Sequence, residues 1–200
     1  MTEPAVSADA VTGHRDELRD LGELILFHRG EWTEADFEAL PQGVRAELHD
    51  GRLILTPSPN SEHIRAAKRL ERFLERFVED DSLVLRELDV RMAGGRRYRA
   101  PDVMVLHEWR RGRPMDPANV ILVGEVISPG GGDEYGEKMT AYAESGIEWY
   151  LIVQETPAGF TGEFYRLTDG AYQLVSRGEP AGRLDLPDPF NATIELRELS

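Results

Sequence analysis

The sequence predicts an α/β (α+β) fold in which a central mixed β-sheet is flanked by helices. Residues 62–78 and 133–145 carry apolar side chains at helical spacing, whereas 120–127 and 147–153 are short and almost wholly apolar, as expected of buried strands. The strand, helix and strand in succession imply a right-handed parallel crossover. Hairpins predicted at 45–56 and 162–176 add antiparallel strands, so the sheet is expected to be mixed.

The bulk composition predicts one globular domain. The chain has 200 residues, 40% hydrophobic and 30% charged, which is enough to bury a core. Residues 1–20 are small and polar and are expected to form a mobile tail, which leaves 21–200 as a single domain.

Cysteine is absent, so disulfides and thiolate metal sites are excluded and a cytoplasmic location is expected. No apolar run approaches the ~18 residues of a membrane span, so no membrane partner is expected.

The elements before residue 80 are predicted from caps and turns. A short helix over 33–40 is expected because Thr33 can cap it and Asp36 can complete a capping box. The hairpin over 45–56 turns at Asp50-Gly51, a pair that tolerates positive φ angles. Four arginines share the polar side of the helix over 62–78, and they are interpreted as a solvated face, with phosphate contact as the alternative: Arg65, Arg69, Arg72 and Arg76.

The later elements are predicted from apolar runs and from glycine. Strands are expected at 83–88 and 98–106, followed by a basic loop that leads to the strand over 120–127. The helix over 133–145 is expected to end at Gly146. The hairpin of residues 162–176 is expected to turn about Asp169-Gly170, and the segment after it is only weakly patterned.

Glu125 is the strongest candidate for a functional residue. It interrupts a strand that otherwise reads as core, and a buried carboxylate costs several kcal/mol unless a cation or hydrogen bonds compensate. Gly124 before it removes a side chain and permits a close approach. Asp102 repeats the pattern at the start of the predicted neighbouring strand, although aspartate there is also a common turn residue. Two such carboxylates suit Mg²⁺, which takes one or two carboxylates together with water and phosphate oxygens.

Lys138 is the third candidate. The chain has 21 arginines and two lysines, which suggests that lysine is kept where arginine would not serve. A compact ammonium can position a water or neutralise developing charge. The alternative interpretation is a surface pair with Glu134 at i,i+4, worth about 0.3–0.5 kcal/mol.

The charge distribution bears on a nucleic-acid substrate. The net charge is −14, which disfavours indiscriminate binding to phosphate. Residues 86–113 nevertheless hold eight arginines against four acids, and 8 − 4 leaves a surplus of four positive charges beside the candidate site.

Several short motifs occur in a fixed order along the chain. They are Glu47-Leu48-x-Asp50-Gly51-x-Leu53, Pro57-Ser58-Pro59, His63, Pro101-Asp102, Glu125-Val126-Ile127-Ser128-Pro129, Lys138-x-x-x-Tyr142-Ala143-x-x-Gly146-Ile147 and Trp149-Tyr150. In this combination the chain resembles the Uma-type restriction endonuclease family of the PD-(D/E)XK nuclease superfamily. The match spans about residues 31–167.

The resemblance implies a restriction-endonuclease-like core, an N-terminal hairpin, further C-terminal strands and metal-dependent phosphodiester hydrolysis. It implies Asp102 and Glu125 as metal ligands, Glu47 as a further ligand, and Lys138 in place of the usual lysine, whose position is taken by Ile127. His63, Glu134 and Tyr142 are accessory candidates by the same resemblance, and Glu134 stands where relatives often carry aspartate.

The leading hypothesis is therefore a Mg²⁺-dependent endonuclease, with Mn²⁺ as a substitute metal and DNA as substrate. Arg96, Arg97 and Arg99 are candidates for binding the flanking phosphates. Cutting both strands would require two active sites and hence favours a homodimer. The alternative is a nucleic-acid- or protein-binding module that keeps the fold without catalysis. A nucleophilic hydrolase gains little support, because the sequence has no cysteine, no Gly-x-Ser-x-Gly turn and no convincing triad.

Overall fold

The computed structural model describes residues 25, 28–41, 44–56, 58–78, 80–129, 131 and 135–200. The expected tail of residues 1–20 lies outside them. The chain divides into two compact units, Met1–Thr56 and Pro57–Ser200. Within the described part of the chain, no helix combines the length and the apolar character needed to cross a membrane.

Among its described residues from 28 to 56, the first unit contains a short helix and a hairpin, as predicted. Helix α1 is Glu34–Glu38, and strands β1 and β2 are Ala46–His49 and Arg52–Leu55. Thr33 caps α1, and Asp36 closes the predicted capping box by accepting from the Thr33 backbone N–H at 2.9 Å. Asp50 and Gly51 both have positive φ, 47° and 82°, which matches the right-handed twist of the paired strands.

The described residues of the second unit include the large sheet and two longer helices. Helices α2 and α3 are Ser61–Leu74 and Glu137–Glu144. Its strands are β3 Val84–Leu85, β4 Val90–Arg91, β5 Arg97–Arg99, β6 Val103–Leu106, β7 Val120–Ile127, β8 Trp149–Thr156, β9 Gly159–Thr168, β10 Ala171–Gly178, β11 Arg183–Leu186 and β12 Ala192–Glu195. Short 3₁₀ turns lie at Asp81–Leu83, Pro117–Asn119 and Leu196–Leu199.

Six of these strands form a mixed sheet in the order β10-β9-β8-β7-β6-β3. Strands β7 and β8 are parallel, and every other neighbouring pair is antiparallel. Because α3 connects the two parallel strands, the predicted strand–helix–strand crossover and the mixed sheet are both confirmed.

The sheet is covered on both faces. Leu122 and Val126 of β7 pack in a cluster with the buried side of α2, including Leu70. Val123 and Ile127 alternate with them and pack in the opposite cluster, which includes Tyr142 of α3. This explains why β7 reads as a continuous apolar run rather than an alternating one.

Gly124 is required by packing, not by a ligand. A Cβ atom added there would lie 2.6 Å from Cγ1 of Val103 and 3.5 Å from Cδ2 of Leu70. The close approach that the sequence predicted is therefore the contact of β6 and α2 with β7.

Two predicted strands differ in their bounds. The strand predicted over 98–106 is two strands, because β5 pairs with β4 whereas β6 lies in the large sheet. Pro101 has no N–H to give to a ladder, and the Asp102 side chain accepts from a β7 amide. The predicted strand over 83–88 shortens to β3, and Glu87 beyond it has a positive φ of 51°.

Both long helices are shorter than predicted. Helix α2 ends at Leu74 rather than near residue 78, because the N–H groups of Arg76 and Phe77 donate to carbonyls three residues back. Helix α3 begins at Glu137, and residues 132–134 ahead of it lie outside the described residues.

The C-terminal segment forms more structure than its weak patterning predicted. Strands β11 and β12 form an antiparallel hairpin, and Leu184, Leu186 and Ile194 are buried in the α2-side core. The alternation of apolar side chains in both strands is the signal that could have predicted this hairpin.

Candidate active site

Glu125 lies inside the second unit, near the end of β7. Only 1% of its surface is exposed. The Tyr142 hydroxyl donates to Glu125 Oε1 at 2.7 Å, and the Lys138 ammonium donates to Oε2 at 3.2 Å. Both carboxylate oxygens of Glu125 thus accept hydrogen bonds from side chains of α3, whose residues 138 and 142 lie one turn apart on one side of the helix. The compensating cation that the sequence required for a buried glutamate is Lys138.

Asp102 lies just before β6, across from the end of β7. Its Oδ2 accepts from the backbone N–H of Val126 at 2.7 Å. Its Oδ1 is 3.0 Å from Nε2 of His63. The β6–β7 register pairs Val103 with Gly124, so Asp102 lies beside the β7 residues Glu125 and Val126. The sheet register therefore brings the two residues side by side on neighbouring strands, as predicted.

His63 connects α2 to this edge of the sheet. The Asn60 side chain caps the helix by accepting from the His63 backbone N–H at 2.7 Å. This hydrogen bond holds the first turn of α2, which carries the His63 side chain. Since a carboxylate only accepts, the His63 Nε2–H donates to Asp102. The other ring nitrogen, Nδ1, lies 3.4 Å from Oγ of Ser128. The sequence did not predict the Ser128 contact, although Ser128 directly follows β7.

The donor set suits magnesium better than a cation held entirely by protein. Among the described residues, no group of three or more His, Asp or Glu side chains is placed to hold a metal ion. Mg²⁺ requires no such group, because it is commonly held by one or two carboxylates with water and substrate phosphate completing its shell. Asp102 and Glu125 are two carboxylates of this kind, and their role as metal ligands stays a prediction.

The remaining candidates lie in different places. Glu47 is in β1 of the first unit, with 8% of its surface exposed, and its role as a ligand stays a prediction. Glu134 lies outside the described residues. Arg97 and Arg99 lie beside acids of α3, at 2.9 Å from Glu144 and 3.7 Å from Glu137, and Arg96 is exposed.

Those ion pairs change the expected charge of the basic segment. Arg86, Arg110 and Arg113, which contribute to the predicted surplus over residues 86–113, also lie beside acids. The acids come partly from elsewhere in the chain, such as Glu71 of α2, so counting charges within the segment overestimated its positive surface. Phosphate binding by Arg96, Arg97 and Arg99 stays a prediction.

The fold is that of a solved nuclease-type structure. It is similar to the crystal structure of a protein from Anabaena variabilis ATCC 29413, described as "a putative nuclease belonging to DUF820". The TM-score is 0.63 at 17% identity, and the alignment covers 84% of this chain and 97% of that one. At this identity the likeness establishes the fold.

The family follows from the sequence itself. A family profile described as "Putative restriction endonuclease" (Uma2) matches residues 34–198. The chain belongs to this family, as the ordered motifs predicted. No curated protein matches the chain significantly.

Proposed function

We propose that this protein is a Mg²⁺-dependent endonuclease that hydrolyses phosphodiester bonds of DNA. The observation that supports it most is that Asp102 accepts from the β7 residue next to Glu125, and that Glu125 is paired with Lys138, in a chain of this family. Asp102 and Glu125 would hold the cation, and Mn²⁺ would substitute. When bound, the metal supplies electrophilic activation of the phosphate and of the attacking water.

The protein's own side chains would prepare and complete that chemistry. Tyr142 holds Glu125 Oε1 and the Val126 amide holds Asp102 Oδ2, so both carboxylates are oriented before substrate arrives. Lys138 brings a positive charge to Glu125, and its side chain is 14% exposed. From there its ammonium would stabilise the charge that develops on the phosphate oxygens or orient the nucleophile.

The test is Mg²⁺-dependent cleavage of supercoiled DNA by three conservative variants. Asp102→Asn, Glu125→Gln and Lys138→Met should each lose cleavage while retaining cooperative unfolding. Glu163→Gln is the matched control, since this partly buried strand glutamate lies in β9 and pairs with Arg177. Undiminished cutting by Glu125→Gln would contradict the assignment.

A second candidate, a binding module without catalysis, is favoured by the net charge of −14. Metal binding to the folded state separates the two. With metal at tenfold its dissociation constant, stability should rise by about 1.4 kcal/mol, equivalent to about 3–6 °C in Tm for a chain of this size. Asp102→Asn should lose the shift. No shift in the wild-type protein at millimolar Mg²⁺ or Mn²⁺ would favour the binding module. The homodimer that double-strand cutting requires also stays a prediction.

A further inference from the structure

Helix α2 presents a row of positive charges on the side that faces away from the core. Its inner side is formed by Ala66, Leu70 and Leu74, all buried. The opposite side, continued by the turn that follows Leu74, carries five cations, which we call the α2 basic face: Arg65, Lys68, Arg69, Arg72 and Arg76. Arg65 to Arg72 span about 10 Å at 1.5 Å per residue, and Arg76 extends the row by about one more turn.

The cations of the α2 basic face differ from most other arginines of the second unit. In the described part of the chain, none of the five forms an ion pair with an acid. Arginines elsewhere are commonly neutralised, for example Arg166 by Glu148 and Arg177 by Glu163. Glu71, on the same helix, pairs instead with Arg86 at 3.0 Å. The positive charge of this face is therefore not neutralised by close ion pairs within the described residues, although Glu62 attracts Arg65 at longer range.

A groove adjoins the second half of the face. It has a volume of about 150 Å³ and is lined by Arg69, Arg72 and Arg76 on α2 and by residues of the C-terminal end, including Glu195. The Glu195 carboxylate lies 2.8 Å from Arg183 and 3.4 Å from Arg197. Glu195 is thus already paired, and the three arginines outnumber Glu198, the other acid that lines the groove.

We propose that the α2 basic face binds the phosphate backbone of duplex DNA away from the catalytic centre, an inference that rests on the proposed endonuclease function. Arg65 lies in the same turn of α2 as His63 but on the opposite side of the helix, so the face continues along α2 away from the candidate site. A duplex carries one negative charge per about 1.7 Å of its axis, which offers several phosphates to a row of this length. A chain of net charge −14 needs such a local positive surface to hold DNA.

The test measures DNA binding without catalysis. The dissociation constant of a short fluorescein-labelled duplex is measured by anisotropy in EDTA, between roughly 50 and 200 mM salt. If Arg72 and Arg76 each contact one phosphate, the Arg72→Gln/Arg76→Gln protein should bind roughly tenfold or more weakly at the lowest salt. The plot of log affinity against log salt should become less steep by about 1.8, at ~0.9 for each lost phosphate contact.

The control removes the same charge from another surface. Arg166→Gln/Arg177→Gln takes two half-exposed arginines from β9 and β10 and should leave the slope unchanged. Equal losses in both double variants, an unchanged slope in Arg72→Gln/Arg76→Gln, or no binding of the duplex by the wild-type protein would overturn the inference.

The two proposals fail separately. If the wild-type protein cleaves DNA but Arg72→Gln/Arg76→Gln has an unaltered salt slope, the endonuclease proposal holds and the proposal for the α2 basic face fails. If DNA binding depends on the α2 basic face but no Mg²⁺-dependent cleavage occurs, the proposal for the face holds and the endonuclease proposal fails.

Discussion

Replacing Lys138 with methionine tests whether this lysine compensates the buried charge of Glu125. Methionine keeps most of the aliphatic stem and removes the ammonium, which lies 3.2 Å from Glu125 Oε2. The side chains of Lys138 and Glu125 are 14% and 2% exposed, so the remaining carboxylate would be left in the protein interior with Tyr142 still donating to its other oxygen.

The magnitude follows from that geometry. At 3.2 Å, an effective dielectric constant of about 20 gives an attraction of about 5 kcal/mol, which desolvation of both groups largely offsets. Removing one partner of a buried pair nevertheless costs about 3–5 kcal/mol, because the other charge stays buried. Since Lys138 is partly exposed, we expect a loss near the lower end, about 3 kcal/mol, or about 6–12 °C in Tm.

The assay is a double-mutant cycle by urea unfolding in EDTA with Lys138→Met, Glu125→Gln and the combined variant. Glutamine removes the charge at nearly the same volume, so the combined variant should recover much of the loss, with a coupling energy of about 2 kcal/mol. The same cycle on Arg177 and Glu163, a more exposed pair, should give about 0–1 kcal/mol. A coupling below about 0.5 kcal/mol at Lys138 and Glu125 would refute the reasoning.

Two further predictions concern stability. Gly124→Ala places a Cβ atom 2.6 Å from Cγ1 of Val103, so it should cost about 1–3 kcal/mol in urea unfolding. Adding Val103→Ala should make the combined loss smaller than the sum of the two single losses, and strict additivity would count against the clash. Burial raises the pKa of the Tyr172 phenol. The contribution of this group to the free energy of unfolding is therefore complete below pH ~10 and is lost as the pH rises toward the folded-state pKa. Tyr172→Phe should therefore reduce the alkaline loss of stability by about 1.4 kcal/mol per pH unit, measured from urea midpoints above pH 10; an unaltered slope would contradict it.

The prediction of Glu125 shows how far the sequence could lead. A carboxylate inside an apolar run demands a compensating group whatever the fold, because the cost of burial is a property of the residue and its surroundings. The sequence was less able to identify that compensating group. Lys138 and Tyr142 were connected with Glu125 by resemblance to a family, and their hydrogen bonds depend on how α3 packs against β7.

Arg97 and Arg99 show the opposite case. The sequence indicated a positive surface from the local excess of arginine, but acids of α3 lie beside both side chains. Those acids are distant in sequence, and no local pattern predicts which charges a fold will pair. The same limit explains why the α2 basic face, rather than residues 96–99, is the arginine-rich surface without ion pairs in the described chain.

The sequence by itself determined the elements whose causes are local. The capping box of Thr33 and Asp36, the hairpin turn at Asp50-Gly51 and the apolar run of β7 depend on neighbours a few residues away, so their patterns sufficed. Only the tertiary structure decided that His63 meets Asp102, 39 residues further along the chain. That contact requires β6, β7 and α2 to pack at one edge, and packing between distant segments is set by the whole core rather than by any segment's own pattern.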